Sequence, residues 1–510
     1  MILDFIRLTD DSIHSGEWTF AEIEDRMLLA RLGTQEYLVS QRSLIEELHI
    51  LQYEVRKMND IHRHKIVGIG GVTEAVYFKI YELVSLQKQS RVALDISETQ
   101  KELEAILIEA VDMGASDLHI TRNDILAQLE VRVNGMLLPM MQMPASKCDE
   151  LVFVLYNVQA STRDTTWNRT IPQSANILYT LNGLSFRFRY AHFPIFGETN
   201  DCFHAVLRII PSGLSKGAVA NLNKLGISEE ELEDLKKILS NPIYGAYFIA
   251  GTTGSGKSTT LKNLMEWLQV NRYGNKGCFL TVEDPVEYQI FGAKQSSVVS
   301  VEGGGFHSAI KSALRRDPDV LMVGEIRDSI SANALAGAVE SGHYCFTTVH
   351  AGNIVSLLQR LSAMGITSDK LSTPGFIAGL QCQKLVPVIC PHCHHSVEIT
   401  FGEKLMTLYE QNERGCEKCK HTGISGRQLV MEYMRPTYDE LAAISKQEWL
   451  QVYTLWRKKR ISSPGLSEGF EIKEKVFAEV LRGRVCATWF SMEFGDVDKD
   501  NSEIIHGKVR

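Results

Sequence analysis

No apolar run in this 510-residue chain approaches the roughly 20 residues that a bilayer-spanning helix needs. The first eight residues, MILDFIRL, carry Asp4 where a secretory signal would keep its apolar core uncharged. Both absences point to a cytosolic protein, one that could still dock on a membrane protein. Positive charge is also in short supply. There are 54 Lys and Arg against 62 Asp and Glu, a net charge of −8, so a long basic track for nucleic acid is not expected. Cysteine is sparse, ten in all, and four of the ten are clustered, which excludes a disulfide framework. Repeats and low-complexity tracts are missing too. What is present is a globular composition, 44% hydrophobic, over a length that suits three or four domains.

Residues 1–95 mix short apolar runs with charge and hold no chemical motif. The polar stretch 84–91 (VSLQKQSR) reads as a linker, and Ser97 to Gln100 (SETQ) as a capping box. Leu103, Ile106, Leu107 and Ala110 then recur at helical spacing over residues 98–113, with Gly114 as the stop. Between Ser116 and Ile210 the pattern turns to strands at 116–121, 127–133, 184–190 and 205–210, whose alternation suggests a half-buried mixed sheet. Pro211, Gly213, Ser215 and Gly217 mark a hinge. A second α/β region runs from Leu222 to about residue 380. A cysteine-bearing insert follows, then a charged helical region whose last dozen residues are expected to fray.

The sharpest signal is Gly251-Thr252-Thr253-Gly254-Ser255-Gly256-Lys257-Ser258, followed by Thr259. A candidate buried strand, AYFIA, precedes it. Leu261, Leu264, Met265 and Leu268 stripe the helix after it. Glycines let backbone N–H groups turn inward around phosphate oxygens, and a helix N-terminus adds positive potential. Lys257 would neutralise the β- and γ-phosphates of ATP, and Ser258 would ligate Mg²⁺.

Two further apolar strands end in acid. VLMV (320–323) runs into Gly324-Glu325-Ile326-Arg327-Asp328, and FLTV (279–282) into Glu283-Asp284-Pro285-Val286-Glu287. Carboxylates at the carboxyl ends of strands sit where open α/β sheets bind ligands. Glu325 and Glu283 are therefore candidates to hold Mg²⁺ through water or to orient the attacking water. Each is otherwise a solvated turn residue. CFTTV (345–349) ends at His350, which is either structural or a hydrogen-bonding sensor of the γ-phosphate.

In this order, GTTGSGKST (251–259), TVEDPVEY (281–288), LRRDPDVLMVGEIRD (314–328) and SGHYCFTTVHAGN (341–353) resemble the motif set of the secretion and type IV pilus ATPases. In that family they correspond to the Walker A, Asp-box, atypical Walker B and His-box motifs. Ala115-Ser116-Asp117-Leu118-His119-Ile120, Arg132-Val133-Asn134-Gly135 and the strand around Arg189 match as well, and the likeness extends from about 98 to 435.

The resemblance implies a cytoplasmic homohexameric motor. An N-terminal docking domain (1–95) precedes a mixed α/β, PAS-like sensor lobe (96–213), a RecA-like P-loop ATPase domain (214–385), a tetracysteine module (386–425) and a helical region (426–510). It implies that Arg189 and Arg208 complete the site by offsetting charge on the triphosphate. It also implies partners in an inner-membrane platform protein and other pilus or secretion components, with no nucleic acid. Three positions depart from the family. Asn134 stands where aspartate is usual. Lys384 replaces arginine in Gln383-Lys384-Leu385. Ala175 replaces a turn glycine in Pro172-Gln173-Ser174-Ala175.

Cys390-Pro391-His392-Cys393 and Cys416-Glu417-Lys418-Cys419 are two CxxC pairs 22 residues apart. Four thiolates so spaced offer the tetrahedral shell that structural Zn²⁺ prefers, with the intervening segment as a small ribbon. His392 and His394 are spare donors, and a thioredoxin-like redox site would need a single CxxC on another fold. Within the family such a module is typical of assembly and secretion ATPases and is usually missing from retraction ATPases.

Type IV pilus assembly is thus the leading expectation, in a bundle-forming or conjugative thin-pilus setting, with type II secretion as the alternative. A DNA translocase would need basic or aromatic strand-tracking surfaces. A scaffold that binds ATP with little turnover is the non-enzymatic alternative. Arg457-Lys458-Lys459-Arg460 reads as a lipid-touching patch or a solvated face.

Overall fold

The computed structural model describes residues 4–8, 18–24, 27–41, 53, 55–59, 65–211, 222–240, 244–298, 305–401 and 404–495. Residues 212–221, which hold most of the expected hinge, and 496–510, which include the dozen residues expected to fray, lie outside them. No described helix is long and apolar enough to cross a membrane. The chain forms two compact units, 1–106 with 150–155, and 107–149 with 156–510.

The first unit is built on a five-stranded sheet whose strand Ile66–Val72 runs parallel to Asp4–Arg7 on one side and Gln35–Gln41 on the other. Strand alternation splits its apolar residues between two faces. Leu28, Ala30, Tyr37 and Val39 pack on one, and Leu29, Leu38, Ile66 and Ile69 on the other.

A single 39-residue helix, Glu74–Asp112, begins in this unit. It overturns the expected linker at 84–91 and the cap at Ser97. That stretch is polar but has neither proline nor glycine, and its Leu, Gln, Lys and Arg are good helix formers. Ser97 sits inside the helix, where amides already have partners four residues back, so there is no terminus to cap. Gly114 does end it. At φ 73° it lets the Ala115 N–H reach back to the Ala110 carbonyl at 3.1 Å.

In the second unit, seven strands from Asp117 to Pro211 form a sheet that is antiparallel at every described pairing, not mixed as expected. Its tight hairpins turn on Asn134-Gly135 and Asn182-Gly183, all four at positive φ. Asparagine tolerates that conformation well, so Asn134 is a turn residue here.

The second sheet runs in the order Ala293–Ser297, Phe279–Glu283, Val320–Glu325, Tyr344–Val349, Gly245–Ala250, Ile377–Ile389, Ile424–Met434. The first six strands are parallel and the last is antiparallel. Helices cover both faces, so the inner strands Gly245–Ala250 and Tyr344–Val349 are buried along their whole length and mostly apolar, with Thr347 and Thr348 as polar members. Their carboxyl ends converge on one edge.

The C-terminal helices clasp this sheet. Glu432, buried on the last strand, accepts the N–H of Ile354 at 2.8 Å and that of Ile472 at 3.2 Å. One carboxylate thereby caps two helices, Ile354–Ala363 and Ile472–Leu481. The basic run 457–460 is neither lipid patch nor solvated face. Arg457 forks onto Glu474 at 2.5 and 2.7 Å, and Lys459 bridges Glu440 and Glu468 at 2.8 Å each. Of the four, only Lys458 is exposed.

Candidate active site

A cleft of about 940 Å³ opens at that carboxyl edge, between the two sheets of the second unit. Residues 253–259, Glu283, Asp284, Glu287, Glu325, Arg327 and His350 line it from the parallel sheet. Asp117, His119, Arg132, Arg189 and Arg208 line it from the antiparallel one.

The strand Gly245–Ala250 delivers the glycine loop, and the helix Lys257–Asn271 leaves it. Gly251 has no room for a side chain, since a Cβ there would lie 2.6 Å from the Gln383 carbonyl and 2.4 Å from Ser255 Oγ. Gly256 caps the helix at φ 83°. Thr252 contributes its carbonyl rather than its side chain. The Lys257 ammonium donates to the Gly251 and Thr252 carbonyls at 2.8 and 3.0 Å and lies 3.5 Å from His350 Nδ1. Burial lowers the Lys257 pKa, against the opposing pull of Glu325 and Glu287.

The two strand-end carboxylates differ. Glu283 is buried, and its Oε1 accepts from Thr281 Oγ1 at 2.6 Å and Gln295 Nε2 at 2.9 Å. Burial raises its pKa over the pull of those bonds. Glu325 Oε2 takes the Arg327 guanidinium at 2.8 and 2.9 Å. Its Oε1 lies 2.9 Å from His350 Nε2, yet off the line of a hydrogen bond, which leaves it a buried unsatisfied oxygen. An unsatisfied anionic oxygen beside a phosphate loop fits a metal-bound water. Ser258 and Thr259 line the cleft at the start of the helix.

Arg189 and Arg208 face each other directly across neighbouring strands. Phe188, Tyr190 and Leu207 point into the core, so period-two alternation sends both arginines to the cleft. Arg189 lies 3.2 Å from Glu287, and Arg208 3.1 Å from Asp117.

Several residues in or beside the cleft are not among those the sequence singles out for the site. Arg187 donates to the Val286 carbonyl at 2.7 Å and so grips the turn after Glu283. Arg132, Arg327 and Arg427 line the cleft itself. The alternation Arg187-Phe188-Arg189 was the signal available for Arg187. Lys384 turns away from the cleft to Glu493 and the ring of Phe494.

The four sulfurs of Cys390, Cys393, Cys416 and Cys419 lie within 4.8 Å of one another. A two-stranded hairpin, His395–Phe401 with Lys404–Glu410, fills the interval between the pairs. Burial acts to raise the Cys419 thiol pKa. The N–H groups of Cys416 and Gly423, 3.1 and 3.2 Å from its sulfur, outweigh burial and bring it down to about 6. Four converging sulfurs, one poised as thiolate, are a donor set suited to zinc.

Residues 93–482 match the family model described as type II/IV secretion system protein. The putative type II secretion system protein E of Escherichia coli is 34% identical over 351 residues, 67% of each chain. The type IV pilus assembly ATPase PilB of Thermus thermophilus is 30% identical over 359 residues, 68% of this chain but 38% of its own length. Among solved structures, the Legionella pneumophila ATPase DotB superposes with a TM-score of 0.52 at 19% identity, covering 76% of this chain and 93% of that one, which is a likeness of fold. With a family match across most of the sequence and a relative matched over two thirds of its own length, this chain belongs to the type II/IV secretion system protein family, as one of its ATPases.

Proposed function

We propose that the protein is a cytoplasmic, homohexameric motor that hydrolyses ATP to power type IV pilus assembly, docked through partners on the inner face of the cytoplasmic membrane. The observation that carries the motor reading is the meeting, in one cleft, of a phosphate loop, two strand-end carboxylates, His350 and two opposed arginines. In this reading the antiparallel sheet belongs to a PAS-like lobe of residues 96–213 and most of the parallel sheet to a RecA-like domain of residues 214–385, completed by the end of the strand Ile377–Ile389 and by the strand Ile424–Met434. Residues 1–95 serve docking, to an inner-membrane platform protein.

The N–H groups of the loop and Lys257 bind the β- and γ-phosphates, and Lys257 gives up its two carbonyls to do so. Glu325 orients the attacking water, because its Oε1 has no other hydrogen-bond partner. His350 stands within reach of both Glu325 and Lys257 and reads whether the γ-phosphate is present. Arg189 and Arg208 offset charge that builds on the phosphates. Ser258, with Glu283 and Glu325 through water, would hold Mg²⁺, which neutralises the phosphate oxygens when bound. Cys390, Cys393, Cys416 and Cys419 would hold a structural Zn²⁺.

Type II secretion is the second reading, and the E. coli relative's name favours it. Turnover by size-separated hexamers, beside Lys257→Ala and Glu325→Gln, tests the motor. Activity lost in both variants, with ATP still bound by Glu325→Gln, supports it. Hexamers that bind ATP without turnover would make the protein a nucleotide-gated scaffold. Complementation of a pilus-assembly and a secretion defect separates the two motor settings.

A further inference from the structure

Three polar side chains stand in the apolar interior of the parallel sheet. Tyr247, Gln381 and Gln383 are 1%, 0% and 2% exposed. Burying such groups is costly unless every one is hydrogen-bonded, and here they bond to each other in series. Tyr247 O–H donates to Gln381 Oε1 at 2.7 Å, Gln381 Nε2 to Gln383 Oε1 at 2.8 Å, and Gln383 Nε2 to the Ser255 carbonyl at 2.7 Å. The far end fixes the sense of the whole series. A carbonyl only accepts, so Gln383 must turn its NH₂ toward Ser255 and its oxygen toward Gln381, which must in turn face Tyr247 with its own oxygen.

The backbone is fitted to this series. Gln381 and Gln383 are two apart on one strand and share a face. Tyr247 sits opposite Gly379 on the neighbouring strand, where a Cβ would come within 2.7 Å of the tyrosine ring. The glycine makes the space that the ring occupies.

We propose that Tyr247, Gln381 and Gln383 form a buried positioning relay that sets the phosphate loop before nucleotide arrives. In a trans peptide the carbonyl and the following N–H point in opposite directions. Gln383 holds the Ser255 carbonyl toward the sheet, so the Gly256 N–H faces the loop's concave side, where phosphate oxygens are bound. None of the three touches the nucleotide; they act through the Ser255–Gly256 peptide. This inference rests on reading the loop as the ATP site.

The test measures KM and kcat for ATP, the Kd of a fluorescent ATP analogue, and Tm. The variants are Gln383→Leu, Gln381→Leu, Tyr247→Phe and the double Gln381→Leu/Gln383→Leu. Loss of one bond in the series is expected to raise KM and Kd about 3- to 10-fold, most in Gln383→Leu and least in Tyr247→Phe, with kcat changed less than about twofold. In the Gln383→Leu background, Gln381→Leu should add nothing to KM, because its route to the loop is already cut. If KM and Kd stay at wild-type values while Tm falls additively, the three merely fill the core and the proposal is overturned. If Gln383→Leu does not fold, Tyr247→Phe and Gln381→Leu decide by the same readouts. Wild-type hexamers that bind no nucleotide would instead sink the reading of the loop itself.

Discussion

The phosphate loop and the cysteine knuckle are both short turns whose backbone N–H groups converge on a negative target. They are held in opposite ways. Around residues 251–256 the fixing bonds come from the protein: Gln383 on the Ser255 carbonyl, Lys257 on the Gly251 and Thr252 carbonyls. Around Cys416 and Cys419 the N–H groups point at a sulfur that is itself one of four candidate ligands. In the proposed reading the loop is organised by its neighbours ahead of binding, whereas the knuckle would be organised by the zinc its sulfurs are suited to hold. Removing a ligand should therefore have unlike consequences at the two places, on rate at the first and on folding at the second.

The largest effect expected is at the loop. Lys257→Ala should lower turnover by about 10³-fold or more, with Tm near wild type. A large fall in Tm would break the comparison, because the chain would then depend on this one residue to fold, as the knuckle is expected to depend on its ligands. Glu325→Gln should cost about 10²- to 10³-fold in kcat while ATP binding persists, as judged by nucleotide titration.

At the knuckle, metal analysis should find one zinc per chain. Cys416→Ser with Cys419→Ser should release it and lower Tm by roughly 5 °C or more, before any direct loss at the nucleotide cleft. An unchanged Tm would mean the sulfurs hold nothing structural. Arg189→Ala should reduce kcat about tenfold in assembled hexamers, with Arg187→Ala acting through the turn it grips.

The smallest effect is a pH term. Burial, first among the causes, pushes the Glu432 carboxyl up to about 7 from its ordinary 4.5. Between those values the folded chain binds more protons than the unfolded one, so stability declines as pH rises through the window and is fullest below it. Wild type should therefore lose more Tm than Glu432→Gln between about pH 5 and about pH 7.5, a difference that scanning calorimetry at several pH values would detect.

The sequence made the chemistry legible where chemistry and local structure coincide. The loop needs a strand before it and a helix after it, and Glu283, Glu325 and His350 are each read from the strand they end. Long-range geometry was not legible. Gln381 and Tyr247 look like stray polar residues until the sheet sets them side by side. Arg457 and Lys459 look like surface charge until Glu474 and Glu440 fold against them. The polarity of 84–91 suggests a linker, yet nothing between 74 and 112 breaks a helix. Asn134 departs from the family's aspartate, and its positive φ is the local reason for it.

The strand Ile377–Ile389 carries Gln381 and Gln383, and the residue after it is Cys390. Side chains alternate along it, so a one-residue insertion between Gln383 and its end would turn every later residue to the opposite face. There is already an offset near that end: Val388 pairs with Gly426 and Ile389 with Ile424, so Ser425 is skipped. Length variation among relatives should accordingly collect at this bulge, where only the cysteine module shifts. It should be scarce upstream, where a changed count would carry the nucleotide loop with it.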